Sequence, residues 1–155
     1  MARADSLIPD DRAELDRLFE RGDTPEIDAL EGDTVGRVLA GRGLLGITPL
    51  RRGVNGPHLP WRGKRVRGTE GCNRFGYGPL EREGFGFKIR HAPSLADPEK
   101  TVLIFDYDVP DNPAPVRRIR DDLVEIEDGL YLGTSNLRVG DDYRFLTYFT
   151  LEHPE

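Results

Sequence analysis

The sequence is poor in the residues that usually announce a chemistry. It has one cysteine, one methionine, one tryptophan and three histidines in 155 residues. The lone thiol, Cys72, cannot form an internal disulfide and fits a reducing compartment. Its neighbours include no base to activate it, so an inert thiol is expected. His58, His91 and His153 are isolated, without a second nitrogen or thiolate at ligand spacing, and no metal is expected. Long apolar runs are missing too. Nothing approaches the roughly 20 apolar residues of a membrane span, and residues 1–10 lack the apolar centre of a signal peptide. A cytoplasmic protein with no membrane partner is the expectation. A net charge of -6 makes a whole-surface nucleic-acid binder equally unexpected.

What is abundant is punctuation. With 18 Gly and 12 Pro the chain is cut into short segments, which favours strands and turns. Leu15, Leu18 and Phe19 share one helical face, with Asp10 or Asp11 as N-cap and Gly22 as the stop. Thr24-Pro25-Glu26 opens a second, very short helix. Residues 34–40 look extended, and residues 41–60 form a long Gly/Pro-rich stretch of the kind that serves as a lid or an entrance. Strands are expected at 61–67 and 73–77. In Phe85–His91 apolar residues alternate with Gly, Lys and Arg, one face buried and one wet. Val102-Leu103-Ile104-Phe105 is apolar on both faces, as in a central strand. Val116, Ile119 and Leu123 keep helical spacing whereas 123–126 reads as strand, which leaves residues 115–122 open between the two. Asp128-Gly129 predicts a type I′ hairpin, and Gly140-Asp141-Asp142 the turn before a last strand at 143–151. Together these predict a mostly β chain: one domain over 1–155, with a helical segment at 1–32. Residues 33–155 are expected to form an antiparallel barrel of roughly seven to eight strands.

Two motifs dissolve on inspection. Gly41-Arg42-Gly43-Leu44-Leu45-Gly46 fits the dinucleotide-binding pattern, but Pro49, Gly53 and Pro57 forbid the helix that must follow it. Asp106-Tyr107-Asp108 opens like a calcium loop, yet the sixth and twelfth positions are Asp111 and Arg117. With no nucleophile elbow and no phosphate loop either, no cofactor is expected. Alternation puts Val102, Ile104, Asp106 and Asp108 on one face. Asp106 then lies beside apolar neighbours, either at the wet end of its strand or partly buried against Arg117, Arg118 or Arg120. Partly buried, it is a candidate general base, with Tyr107 and Arg120 steadying a developing oxyanion. Arg74 and Arg120 are candidates to hold a polar or acidic ligand end, with Asn73, Tyr107 and Tyr148 as hydrogen-bond partners. Trp61, Phe75, Phe87 and Phe145 would supply an apolar wall. Gly63, Gly76, Gly84, Gly86 and Gly133 would leave interior volume or relieve strand curvature. Between Arg51 and Arg67 six basic residues occur with no acid, which reads as one charged strand face or as a docking stretch.

A short N-terminal helix and a long Gly/Pro-rich segment precede Trp61-Arg62-Gly63-Lys64. Antiparallel strands follow, ending in Gly129-Leu130-Tyr131-Leu132-Gly133 and Tyr148-Phe149-Thr150-Leu151-Glu152. This order resembles the lipocalin-like, or calycin, barrels, although here Gly63 follows Trp61 where true lipocalins carry G-x-W. The resemblance implies a cavity for a small hydrophobic molecule, used by a carrier or by an enzyme. The leading expectation is binding of a mostly apolar molecule with a polar or acidic end. Alternatives are a cofactor-independent cyclase or isomerase in the same cavity, and an interaction module using residues 51–67. Oligomeric state is open, a homodimer being one arrangement.

Overall fold

The computed structural model describes residues 11–39, 61–77 and 79–154. The Gly/Pro-rich stretch 41–60, with its dinucleotide-like motif, Arg51, Arg52 and His58, lies outside the described residues, as does Asp10. The described residues form an antiparallel sheet of nine strands in the order β1-β3-β4-β5-β6-β7-β8-β9-β2. The strands are β1 Gly32–Asp33, β2 Val35–Val38, β3 Trp61–Arg67, β4 Glu70–Tyr77, β5 Leu80–Pro93, β6 Thr101–Asp106, β7 Ile119–Glu127, β8 Leu130–Val139 and β9 Asp142–Glu152.

Nine replaces the expected seven to eight because one extended run serves two neighbours. Gly32 and Asp33 pair with Val66 and Arg65 of β3, whereas Val35 to Val38 pair with β9. Between them the Thr34 amide and hydroxyl both donate to the Lys64 carbonyl, at 2.9 and 3.1 Å. This split run joins the two ends of the sheet into a nearly closed barrel, so no long strand edge is left bare there.

The two faces of the sheet bury different partners. Leu103, Phe105, Phe87, Ile89, Leu123, Tyr131, Phe149 and Leu151 form the interior cluster. Val102, Ile104, Val124, Leu132 and Tyr148 point the other way and are covered by Leu15 and Phe19 of helix α1, Arg12–Arg21. Val102–Phe105 is therefore apolar on both faces because it separates these two layers.

Helix α1 starts after Asp11, whose side chain makes no capping bond, and ends at Gly22 in extended conformation. Lys100 Nζ supplies the C-terminal cap, donating to the carbonyls of Phe19 (2.9 Å) and Glu20 (2.6 Å). At Gly22 a Cβ would overlap the Val124 side chain, so the chain can drop onto β7, where Asp23 and Glu125 exchange backbone hydrogen bonds of 2.8 Å. The second helical start is a 3-10 turn at Ile27–Leu30. Residues 115–122 resolve into a 3-10 turn, Val116–Arg118, running straight into β7.

The hairpin at Asp128-Gly129 forms as expected but not as type I′. Gly129 has φ 74, whereas Asp128 keeps a negative φ, and the register shifts between Glu125 and Glu127. A bulge of this kind gives the hairpin its twist with a single left-handed residue. The volume expected from Gly133 is filled: a Cβ there would overlap the Phe149 ring lying across it.

Candidate functional site

Inside the barrel a cavity of about 220 Å³ remains. Val38, Trp61, Phe75, Phe85, Val116, Ile119 and Phe149 form its apolar wall, and Lys64, Asn73, Tyr107, Asp121, Ser135 and Thr147 its polar one.

A local irregularity brings the polar wall together. In β3 the pairing shifts between Trp61 and Gly63, the latter at φ 140, where a Cβ would run into the Thr34 carbonyl. The shift breaks strict alternation, so Trp61 and Lys64, three positions apart, both reach the cavity. On the next strand Asn73 lies opposite Lys64. A second shift, between Gly71 and Asn73 in the β4–β5 pairing, lies beside Phe85, the non-glycine residue with positive φ among the described residues, at 53. Its backbone is strained. The Phe85 carbonyl accepts from Asn73 Nδ2 at 3.0 Å, and its ring packs edge-on against Phe75.

Lys64 is 2% exposed and Asp121 3%. Their charged ends lie 3.2 Å apart, Nζ to Oδ2. Lys64 Nζ also donates to Asn73 Oδ1 (2.9 Å) and to the Tyr107 hydroxyl. Trp61 Nε1 donates to the same Asn73 oxygen at 3.0 Å, and Asn73 Nδ2 donates to the Tyr107 hydroxyl at 3.0 Å. Tyr107 in turn donates to Asp121 Oδ2 at 3.2 Å. Around the ammonium stand the rings of Phe87, Phe105, Tyr107, Phe149 and Trp61, with centroids 5.0 to 5.7 Å away. Burial pulls the Lys64 pKa below its ordinary value, with Asp121 acting in the opposite sense. Burial, helped by the Asp121 charge, holds the Tyr107 phenol well above its usual range.

A buried ion pair is costly to desolvate and is weak evidence for stability. Here the donors of Asn73 and Tyr107 are all engaged, and Lys64 donates twice and is ion-paired with Asp121. One atom is left over: Asp121 Oδ1 is buried and has no hydrogen-bond partner among the described residues.

Of the residues singled out from the sequence, Trp61, Asn73, Phe75 and Tyr107 line this cavity. Phe87 belongs to the interior cluster below it. The others lie elsewhere. Arg74, next to inward Asn73, is bound to Glu81 at 2.8 Å and donates to the Thr34 carbonyl at 2.7 Å. Phe145 lies under the Arg12 guanidinium, 3.7 Å from its ring centre, and Tyr148 donates to Asp16 of α1, both in the outer layer. Asp106 stands at the end of β6, 3.5 Å from Arg90, and accepts from the Asp108 amide at 2.9 Å. Arg120 is its cross-strand neighbour, but the Arg120 guanidinium bonds Asp122 (2.8 Å) and the Pro93 carbonyl (2.6 Å). Arg117 bonds Asp108 instead. The alternation that placed Asp106 beside Val102 and Ile104 thus follows the outer face, away from the cavity.

Within the basic stretch, Lys64 is interior, Arg62 donates to the Gly76 carbonyl at 2.9 Å, and Arg65 bonds Asp33, Glu81 and Glu83. His91 and His153 each place Nε2 against a backbone carbonyl, of Pro25 at 2.7 Å and of Ala29 at 3.0 Å. Among the described residues no three His, Cys, Asp or Glu side chains gather closely enough to hold a metal ion. Burial and the Glu83 carboxylate push the Cys72 thiol up. No helix among the described residues is long and apolar enough to cross a membrane.

The cavity residues missed in the sequence are chiefly Lys64, Asp121 and Ser135. Asp121 had a signal: it falls between Ile119 and Leu123 at period two, a carboxylate on an apolar face. Helical spacing at 116–123 masked it.

No family model matches the chain, and no curated protein matches it. A crystal structure of a protein from Thermomonospora curvata is similar in fold, with a TM-score of 0.65 at 20% identity over 94% of this chain and 88% of that one. At that identity the likeness extends to the nearly closed antiparallel barrel alone.

Proposed function

We propose that the barrel binds a small, mostly apolar molecule, with its polar group at the Lys64–Asp121 wall. The observation that carries this is a cavity of about 220 Å³ with a mostly apolar wall and a buried charge pair set into one side. Pockets that hold small molecules share this composition, apolar walls with a few convergent polar groups. The reading agrees with the resemblance of the sequence to lipocalin-like barrels. It changes where the polar end sits: Arg74 and Arg120 are spent on carboxylates and carbonyls outside the cavity, and the interior cation is Lys64.

Native mass spectrometry of the purified protein, followed by denaturing extraction, tests the reading. A co-purifying small apolar molecule, lost from a variant whose cavity is filled by Ser135→Phe, is the expected result. An empty protein that also fails to bind any member of a library of single-ring compounds would overturn it.

A further inference from the structure

The hydrogen-bond inventory of the polar wall selects among ligand chemistries. Of its three donors the Lys64 ammonium gives one to Asn73 Oδ1 and one to the Tyr107 hydroxyl, and its charge is paired with Asp121 Oδ2 at 3.2 Å. Asn73 is complete, its oxygen accepting from Lys64 and Trp61 and its nitrogen donating to Phe85 and Tyr107. The Tyr107 hydroxyl accepts twice and donates once. The vacancy in this network is an acceptor, Asp121 Oδ1.

Beside it on the cavity surface lies Ser135, directly opposite Asp121 in the β7–β8 pairing, and opposite Ser135 in turn lies Thr147. The Thr147 hydroxyl donates to the Leu39 carbonyl at 3.0 Å, which leaves it acceptor capacity. Ser135 carries both a donor and an acceptor.

Resting on the cavity-binding reading above, we propose that the polar group of the bound molecule is a neutral hydroxyl, which donates to Asp121 Oδ1 and accepts from Ser135 Oγ. A carboxylate would meet the Asp121 carboxylate, which already neutralises the Lys64 ammonium. An ammonium would face the Lys64 ammonium, already enclosed by aromatic rings. A hydroxyl answers both neighbours without a second buried charge. Size narrows the class further. Benzene fits an apolar cavity of roughly 150 Å³, so about 220 Å³ suits a single ring with a short substituent. The ligand class is therefore a small phenol or a monocyclic alcohol.

Titration of the full chain with 4-propylphenol, 4-propyltoluene and 4-propylbenzoate, followed by protein-observed NMR, reads this directly. The phenol binds about tenfold or more tightly than its methyl isostere, the gain expected of a hydrogen bond to a buried carboxylate. The benzoate is weakest. Ser135→Ala weakens the phenol several-fold and leaves the toluene unchanged, and it keeps the Lys64–Asp121 pair, so the fold survives. If the toluene or the benzoate equals the phenol, or if Ser135→Ala affects phenol and toluene alike, the hydroxyl assignment falls and the cavity reading stands. If none of the probes shifts signals of cavity residues, the cavity reading falls and takes this inference with it.

Discussion

Two apolar layers meet across β6, β7 and β8, and they are built to different standards. Outside, Leu15 and Phe19 of α1 lie on Val102, Ile104, Val124 and Leu132, an apolar contact whose Tyr148 hydroxyl reaches half-exposed Asp16. Inside, the same strands present Leu103, Phe105 and Leu123, but also Asp121, and the layer carries a buried ion pair and an unfilled volume. The outer layer has what stability alone requires. The inner one keeps features that cost stability, a desolvated charge pair and a strained Phe85, and the two coincide at the cavity wall. That coincidence is what the proposed binding role rests on.

The largest effect expected of breaking this contrast is on the inner pair. Lys64→Met leaves Asp121 buried and uncompensated and costs about 3–5 kcal/mol in urea unfolding. The double variant Lys64→Met, Asp121→Leu recovers most of it. Equal losses in the single and double variants would show that the pair contributes packing rather than charge compensation. On the outer layer Leu15→Ala costs about 3 kcal/mol by leaving a cavity under α1. Binding of cavity probes to the folded protein is unchanged, which distinguishes the layers functionally.

The same substitution in each layer sharpens the comparison. Tyr107→Phe deprives Lys64 and Asn73 of an acceptor in a buried network and costs about 2 kcal/mol. Tyr148→Phe removes one bond to half-exposed Asp16 and costs about 1 kcal/mol. Similar losses at both positions would mean the inner network is not tighter than the outer bond.

Alkali gives a smaller, graded effect. Tyr107, Tyr148 and Tyr131, the last pushed up to about 12, ionise later in the fold than in the unfolded chain, whose phenols titrate near 10.0. Above that value the native state holds more protons, so stability falls as pH rises. Lys64 acts with the opposite sign: its depressed pKa makes stability rise with pH, but only up to its unfolded value of 10.5. Urea midpoints therefore decline between about pH 10.5 and about pH 12, with phenolate absorbance appearing as the protein unfolds. A flat midpoint across that window would show the phenols are less buried than described. The smallest effect belongs to Asp106→Asn, under about 0.5 kcal/mol with cavity binding unchanged, since its partner Arg90 is an exposed one.

The sequence alone determined the class of the fold. Alternation in Phe85–His91, the doubly apolar Val102–Phe105 and the Asp128-Gly129 turn are local signals, and each reports the period of a strand or the needs of a turn. It also picked out part of the cavity lining: Trp61, Asn73 and Phe75 lie on strands, and Tyr107 directly follows β6 and keeps the inward parity of Leu103 and Phe105. Only the tertiary structure decided the remainder. Counting by twos from Trp61 places Lys64 on the wrong face, and the bulge at Gly63 reverses that. That bulge is specified by the close approach of Thr34, about thirty residues earlier in the chain. The number of strands was settled in the same way, by one run dividing its hydrogen bonds between β3 and β9. Parity and edge pairing are set by contacts distant in sequence, and period-two reasoning carries no information across a bulge.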